Sequence, residues 1–214
     1  PDGAGKTTLI RMLTGVLARD AGTVAIHGRD IDRERDATRL LIGYMSQAFG
    51  LYEDLTVAEN IRFFATLRRV PTRVRKEREA RLLAFTRLAP FTDRFAGDLS
   101  GGMKQKLGLV CALVHEPRVL FLDEPTNGVD PVSRREFWDI LGEIRGRVTV
   151  IVATPYMDEA ERCDRVALVA GGRLLALDAP DALRARVAEP VWEVETARPF
   201  LAAEVVRAAP PAAD

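Results

Sequence analysis

Apolar runs of strand length alternate along the chain with stretches whose apolar residues follow the helical repeat. The spacing predicts a helix over residues 5–17 that ends near Gly22, and further helices at 131–145 and 156–163. Strands are predicted at residues 23–27, 42–45, 119–122 and 148–153. The last two are uninterrupted apolar runs, which are typical of parallel strands covered on both faces. Strands alternating with helices predict an α/β domain with a largely parallel sheet.

The segment over residues 56–98 has a different pattern, because it is helix-like throughout and carries no strand signal. It is also rich in basic residues, namely Arg62, Arg68, Arg69, Arg73, Arg75, Lys76, Arg78, Arg81, Arg87 and Arg94, opposed by Glu77, Glu79 and Asp93. Such a run is either a solvated helix face or a docking surface for an acidic or membrane-proximal partner. Both interpretations stay open at this point.

The C-terminal part of the chain predicts a small appendage. A strand over residues 173–177 is followed by a helix from Asp181 and by a last strand near residues 191–195. We therefore expect three parts: an α/β domain over residues 1–188, a β/α appendage over 189–207, and an Ala/Pro-rich linker or tail over 208–214.

Composition narrows the class of protein. The 214 residues are 47% hydrophobic, which supports a substantial core and excludes intrinsic disorder. Lys and Arg number 31, as do Asp and Glu, and this balance argues against a free-standing nucleic-acid binder. Two cysteines are too few for a disulfide scaffold or a zinc site. No apolar run approaches the ~20 residues that a membrane span needs.

A phosphate-binding loop opens the chain. Residues 1–8 match the end of the pattern G-x-x-x-x-G-K-[ST], with its first Gly expected one residue before Pro1. Glycines let backbone N–H groups curl around phosphate oxygens, Lys6 reaches the β- and γ-phosphates, and the Thr7 hydroxyl binds Mg²⁺. The predicted nucleotide-binding residues are Asp2, Gly3, Ala4, Gly5, Lys6, Thr7 and Thr8. The alternative, an ordinary Gly-rich turn before a helix, fits this pattern poorly.

Two carboxylates follow the apolar run over residues 119–122. Ligands of parallel sheets bind at the carboxyl ends of the strands, where Asp123 and Glu124 fall. Asp123 is suited to hold Mg²⁺ as the second acid of a phosphate-loop site, and Glu124 to act as the general base toward the attacking water. A pair of solvated acids is the simpler alternative.

A second Gly-containing turn precedes a predicted amphipathic helix. Ser100 is placed to cap that helix, while Gly101 and Gly102 expose backbone N–H groups that would bind an anion. Taken alone, this motif favours an ordinary helix N-cap.

In this order the motifs resemble those of the nucleotide-binding subunit of ABC transporters, and the resemblance covers nearly the whole chain. It includes a glutamine in YMSQ, Gln47, a signature over residues 99–103, and a D-loop-like segment over 128–130. Residues 51–60 and 156–161 resemble the ATPases of ABC-2-type drug or lipid exporters. Residues 127–131 resemble the subset with two nucleotide domains on one chain.

The resemblance implies a P-loop NTPase fold with an inserted helical subdomain over residues 56–98 that leans on an ABC-2-type membrane permease. ATP and Mg²⁺ would be the cofactors, with Glu124 and Lys6 catalytic. Thr7, Gln47 and Asp123 would bind the Mg²⁺ ion. Gln47 would also couple Mg²⁺ binding to a movement of the helical subdomain. Ser100, Gly101 and Gly102 would close over ATP held by a second nucleotide-binding domain, in a homodimer or a tandem chain. The subunit would be peripheral, at the cytoplasmic face of the inner membrane, without direct nucleic-acid contact.

The resemblance also implies that the domain is cut inside its phosphate loop. The strand under that loop and the adenine-stacking aromatic would lie upstream of Pro1. We expect the 214-residue chain by itself to hydrolyse ATP slowly or not at all.

Two other functions compete with that of a transport ATPase. A soluble ABC-type ATPase acting on ribosomes or DNA would turn the basic helical segment toward nucleic acid. A regulatory, hydrolysis-impaired domain would bind ATP only, although Glu124 argues against it because pure binding needs no base. A non-functional gene fragment is the third alternative, which the neighbouring reading frames would test.

Two residues depart from the family pattern. Met103 stands where the signature commonly has Gln, which leaves the backbone anion site intact. Pro155 follows Thr154 where the family has a His that contacts the γ-phosphate. A proline side chain offers no hydrogen bond.

We therefore predict slow hydrolysis at the site built on this phosphate loop, and a higher turnover for Pro155→His. ATPase turnover of the full-length protein, compared with Glu124→Gln, is the measurement. An unchanged rate in Pro155→His would show that the missing His does not limit turnover.

Overall fold

The computed structural model describes residues 3–48 and 50–186. The helices are α1 (Lys6–Leu13), α2 (Arg35–Leu41), α3 (Val57–Leu67), α4 (Thr72–Phe85), α5 (Gly101–Leu113), α6 (Pro131–Ile144), α7 (Met157–Ala160) and α8 (Pro180–Arg186), with short 3₁₀ turns at Ala89–Phe91 and Ala96–Asp98. The strands are β1 (Ala25–Ile26), β2 (Arg29–Asp30), β3 (Ile42–Met45), β4 (Val119–Asp123), β5 (Thr149–Ala153), β6 (Val166–Ala170) and β7 (Arg173–Asp178). The predicted strand near 191–195, the appendage over 189–207 and the tail over 208–214 lie outside the described residues.

A three-stranded parallel sheet in the order β3-β4-β5 organises the fold, as the alternation of strands and helices predicted. In its register Met45 pairs with Leu122, and Asp123 pairs with Ala153. Every residue of the central strand β4 is buried, which agrees with its uninterrupted apolar sequence. The carboxyl ends of all three strands therefore lie at one edge of the sheet.

The prediction that β5 is covered on both faces is wrong. Thr149 and Ile151 are exposed, and Val150 and Val152 are only half-buried. β5 stands at the end of the order β3-β4-β5 and pairs with β4 along one edge, so fewer elements cover it than cover β4. Its apolar composition resembles that of β4, and the burial differs because of position in the sheet.

Two antiparallel hairpins flank the parallel sheet. β1 pairs with β2 across a turn at His27 and Gly28, both at positive φ, so the strand predicted over residues 23–27 belongs to a hairpin. β6 pairs with β7 in the same way. The strand β2 and the helix α2 were not predicted, because each is short and carries mixed polar and apolar residues. The strand β6 was also not predicted, although its five residues are all apolar.

Two predicted helices are shorter than their apolar spacing suggested. α1 ends at Leu13, because Gly15 adopts a positive φ of 71° and the Thr14 hydroxyl donates back to the Ile10 carbonyl at 2.9 Å. α7 covers Met157–Ala160 within the predicted range of 156–163. In α1 local turn chemistry ends the helix before the apolar pattern does.

Helix α5 lies in the middle of the larger of two apolar clusters. It contacts α3, α4, α6 and β3, and it packs Leu107, Leu109 and Val110, each 0% exposed, against neighbours that include Ile61 and Phe137. A second cluster lies between α1, the first hairpin and the other face of the sheet, and contains Ile10, Ile26, Ile31, Ile42, Val119, Phe121 and Ala153. The sheet is thus covered on both faces at β4.

The segment over residues 56–98 is helical, as predicted, and forms a closed unit. An isolated bridge between Thr56 and Phe95 joins its two ends, and the Ala96 N–H donates to the Leu55 carbonyl at 2.9 Å. Thr56 begins α3 with a capping box, in which its hydroxyl accepts from the Glu59 N–H.

Half of the ten basic residues of this segment bind other groups of the chain. Four of them lie within ion-pair distance of carboxylates, and Arg68 donates to the Arg39 carbonyl at 2.6 Å. The four are Arg75 with Glu79, Arg78 and Arg81 with Glu116, and Arg87 with Glu136. These charges serve in part to hold the segment together and against the sheet domain, a use that the sequence alone did not indicate.

His115 lies between this helical segment and the start of β3. Its Nε2 lies 3.0 Å from the Ile42 carbonyl oxygen, and since a carbonyl only accepts, Nε2 carries the proton. Burial, and after it the charges of the Arg68 and Arg78 guanidiniums, lower the pKa of the imidazole to about 4, against the opposing effect of the hydrogen bond to Ile42. The ring is therefore neutral in the folded protein at physiological pH.

The depressed pKa of His115 predicts acid sensitivity of folding. The unfolded chain binds the proton near pH 6.5 and the folded protein only near pH 4, so the free energy of unfolding falls as the pH drops between these values. We expect a loss of up to about 3 kcal/mol over this window. Urea unfolding of full-length protein at a series of pH values measures it. His115→Gln, which keeps the donor to Ile42, should flatten this dependence, and His27→Gln at an exposed position should not. Equal pH dependence in wild type and His115→Gln would contradict the assignment.

Candidate nucleotide-binding site

The phosphate loop runs into the first turn of α1. Gly5 precedes the helix in the left-handed conformation, with φ of 96°, which a residue with a side chain rarely adopts. Lys6 begins the helix, and Thr7 and Thr8 follow it in the first turn, so their backbone N–H groups point out of its N-terminus. Gly3 is exposed and Ala4 is buried. Asp2 lies outside the described residues.

The turn between β6 and β7 supports this loop from one side. The Gly172 N–H donates to the Ala4 carbonyl at 3.3 Å, and a Cβ placed on Gly5 would lie 3.9 Å from the Gly172 Cα. The second hairpin therefore touches the phosphate loop, a contact that sequence reasoning missed. The sequence feature that could have indicated this hairpin is the Gly171-Gly172 pair between two strand-like runs.

The structure joins the predicted phosphate loop to the predicted acidic strand end. The Thr7 hydroxyl donates to Oδ1 of Asp123 at 2.9 Å, across 116 residues of sequence. Asp123 is 0% exposed, and its Oδ2 has no hydrogen-bond partner among the described protein atoms. A buried carboxylate oxygen without a partner is costly unless a ligand satisfies it.

This donor set fits Mg²⁺. The ion prefers oxygen ligands and usually takes only one or two from the protein, keeping waters and substrate phosphates for the rest. The Thr7 hydroxyl and the unpaired Oδ2 of Asp123 supply such oxygens beside the end of α1 that would face phosphate. These two residues would hold the ion.

Glu124 follows Asp123 in a strained conformation at the end of the sheet. Its φ is 50°, in the left-handed region that non-glycine residues rarely occupy. The Glu124 N–H donates to the Ala153 carbonyl at 2.8 Å, which fixes the backbone turn against the end of β5. Strain of this kind is often found at functional sites, where the surroundings hold it in place.

Two amide side chains hold the Glu124 carboxylate. Nε2 of Gln47 donates to Oε2 of Glu124 at 3.0 Å, and Nδ2 of Asn127 donates to the same oxygen at 3.1 Å. Gln47 comes just after β3, so the register of the sheet brings the predicted glutamine and the predicted base together. Asn127 was not predicted to serve the base, although an amide three residues after the acid was a readable signal.

The signature turn begins α5 as an N-cap. The Ser100 hydroxyl accepts from the Met103 N–H at 3.3 Å, and both Ser100 and Gly101 are exposed. Gly102 is buried, and a Cβ placed on it would lie 2.5 Å from the Ser133 hydroxyl oxygen and 2.6 Å from its Cβ. Close packing of α5 on α6 thus requires glycine at 102, whereas Gly101 and Ser100 face outward.

A Lys-Thr pair that opens a helix beside an acidic strand end is the phosphate- and metal-binding architecture of P-loop nucleotide-binding proteins. Within that class, the chain belongs to the ABC transporter family, because the family model described as ABC transporter matches residues 1–127.

Known proteins of this family resemble the chain closely. The probable multidrug ABC transporter ATP-binding protein YbhF of Escherichia coli (strain K12) is 55% identical over 184 residues, which cover 86% of this chain and 32% of that protein. The daunorubicin resistance ATP-binding protein DrrA3 of Streptomyces coeruleorubidus is 41% identical, over 86% of this chain and 59% of that protein. The chain thus spans about a third of the length of the first relative and over half of the second.

Solved structures agree with the fold. A structure described as the ATP binding subunit of an ABC transporter superposes with a TM-score of 0.79 at 27% identity, over 96% of this chain and 85% of that one. The cbiO1 protein of Clostridium perfringens, part of the ABC transporter complex cbiONQ, gives 0.78 at 29% identity, over 87% and 77%. Within the described residues, every helix is too short or too polar to cross a membrane.

The unpaired oxygen of Asp123 predicts the effect of removing its charge. Asp123→Asn keeps an acceptor for the Thr7 hydroxyl but weakens the attraction for Mg²⁺, so we expect the Mg²⁺-dependent gain in ATP affinity to fall about 10- to 100-fold. ATP titrations of the full-length protein with Mg²⁺ and with EDTA measure that gain. Asp139→Asn, at an exposed position on α6, is the matched control and should keep it. The same Mg²⁺ dependence in Asp123→Asn as in wild type would refute this assignment.

Proposed function

We propose that this chain is the ATP-binding and ATP-hydrolysing motor of an ABC exporter, which works with a separate membrane permease. The observation that carries the proposal is the hydrogen bond from Thr7 to Asp123, with Glu124 held beside it by two amides. The printed names of the relatives, a multidrug transporter protein and a daunorubicin resistance protein, support an export role. A Nod factor export ATP-binding protein of Burkholderia orbicola, 40% identical over 86% of this chain, supports it further.

Each group of the site has a task in this proposal. Lys6 and the N–H groups of residues 3–8 bind the phosphates of ATP, together with Asp2 at the start of the loop. Thr7 and Asp123 would hold Mg²⁺, which would neutralise charge on the phosphate oxygens. Glu124 accepts the proton of the attacking water as general base. Gln47 and Asn127 both bond to Oε2 of Glu124, and this leaves Oε1 to receive that proton.

A second nucleotide-binding domain completes the site in this proposal, either in a homodimer or in a tandem chain. The exposed Ser100 and Gly101, with the backbone of Gly102, would close over the γ-phosphate that the partner domain holds. Closure on ATP binding and reopening after hydrolysis would then drive transport.

The helical subdomain over residues 56–98 would contact an ABC-2-type permease, with the subunit peripheral to the cytoplasmic face of the inner membrane. The basic residues that bind no carboxylate within the described chain would serve that contact. The proposed divisions are an ABC ATPase domain over residues 1–188, an appendage over 189–207 and a linker or tail over 208–214. The 214-residue chain alone is proposed to hydrolyse slowly.

One observation favours a regulatory role instead of rapid hydrolysis. Pro155 comes two residues after Ala153, the last residue of β5, whose carbonyl accepts the Glu124 N–H, and its side chain has no hydrogen-bonding group. If the domain binds ATP and barely hydrolyses it, a substitution of Glu124 would have little effect on the rate of ATP hydrolysis.

The decisive test is the effect of Glu124→Gln on turnover. Removing the base should lower ATPase turnover of the full-length protein about 100- to 10,000-fold, because general base catalysis contributes about that much. ATP affinity should stay within a few-fold of wild type, and Glu143→Gln at an exposed site on α6 is the matched control. Wild-type turnover in Glu124→Gln would contradict the proposed hydrolysis. Co-purification of tagged full-length protein with ribosomes instead of an integral membrane protein would favour the soluble alternative.

A further inference from the structure

A buried carboxylate lies next to the hydrolytic site and has no role in the mechanism above. Glu159, on the short helix α7, is 1% exposed. Its Oε1 accepts a short hydrogen bond from the Thr126 hydroxyl, and its Oε2 accepts from the Thr154 hydroxyl at 2.6 Å. A charged group is seldom buried to this extent unless its charge and lone pairs are satisfied.

The charge of Glu159 is balanced from α6. Nε of Arg134 lies 3.7 Å from Oε1 of Glu159, an ion-pair distance beyond that of a hydrogen bond. The Arg134 guanidinium also stacks over the Tyr156 ring, 4.1 Å from its centroid. The cluster thus joins three separate parts of the chain: the loop after β4, the loop after β5, and α6.

Both hydroxyl partners of Glu159 belong to the loops that hold Glu124. Thr126 comes two residues after Glu124 and is 1% exposed. Thr154 comes directly after Ala153, whose carbonyl accepts the Glu124 N–H at 2.8 Å. Glu159 therefore binds the segments on both sides of the strained backbone at Glu124, where φ is 50°.

A strained residue keeps its conformation only when its surroundings hold it. The Glu159 carboxylate accepts hydrogen bonds from Thr126 and Thr154, and this fixes the loop after β4 relative to the loop after β5. The backbone of Glu124 joins the same two parts of the chain, because its N–H donates to the Ala153 carbonyl. We infer that Glu159 is a positioning residue for ATP hydrolysis, which holds the Glu124 carboxylate in its catalytic place through the Thr126 and Thr154 hydroxyls. The inference rests on the proposed role of Glu124 as the base.

The test is a double-mutant cycle between positions 124 and 159 in the full-length protein. Glu159→Gln removes the charge and leaves only one oxygen for two hydroxyl donors. We expect turnover to fall about 10- to 100-fold, since a misplacement of about 1 Å costs that much. ATP affinity should change little, because the phosphate loop is untouched. In the Glu124→Gln background the same change should have almost no further effect on the residual rate, because there is no base left to position.

Thr154→Val gives a second, milder variant. It removes the hydroxyl that donates to Glu159 and that accepts from the Tyr156 N–H at 3.1 Å, with little change of shape. It should lower turnover in the same non-additive way. Glu161→Gln is the matched control, because Glu161 lies two residues further on, is exposed, and only approaches Arg184 at 3.8 Å. Assays at temperatures well below each variant's unfolding transition keep loss of folded protein out of the comparison.

The outcomes separate this inference from the proposed function. Equal fractional losses of turnover with and without the Glu124 carboxylate would assign Glu159 a structural role only, and would overturn the inference. Wild-type turnover in both Glu159→Gln and Thr154→Val would also overturn it. If Glu124→Gln still had a large effect in that case, the proposed function would stand. Wild-type turnover in Glu124→Gln itself would overturn both.

Discussion

The hydrogen bond from Thr7 to Asp123 is the contact on which the rest of the site depends. It joins the start of α1 to the end of β4 across 116 residues of sequence. Asp123 can receive it because β4 is buried along its whole length and lies between two parallel neighbours. The same register brings Gln47, after β3, and Ala153, at the end of β5, to the Glu124 that follows it. A parallel sheet thus converts distant sequence motifs into one cluster.

The sequence predicts those features of the site that are determined by neighbouring residues in the chain, and it misses those that are determined by contacts formed on folding. The apolar run of β4 and its two terminal acids predicted both a buried strand and a candidate site, because strand burial and ligand position follow from one pattern. The same pattern at β5 gave the wrong burial, since cover depends on neighbours in the sheet that no single segment encodes. Glu159 escaped notice for a related reason. Its segment, residues 156–161, contains several acids, and only the folded contacts show that this one is buried.

Net charge illustrates the same limit. The total is zero, whereas the helical segment is basic and the stretch over residues 123–164 is acidic. Among the described residues, one ion pair, Arg87 with Glu136, joins the two. An exposed pair of this kind contributes little to the free energy of unfolding.

The signature turn at Ser100 and the general base Glu124 are connected by packed side chains, although neither sequence motif indicates this connection. Gly102 leaves no room for a side chain against Ser133 on α6, so α5 and α6 approach closely at the turn that exposes Ser100. The next residue of α6, Arg134, faces the buried carboxylate of Glu159. Because this packing is close, a shift of the Ser100 turn would press on α6 at Ser133, next to Arg134. The end of the domain that would meet a partner's phosphate is therefore in contact, through packed groups, with the loops that hold Glu124.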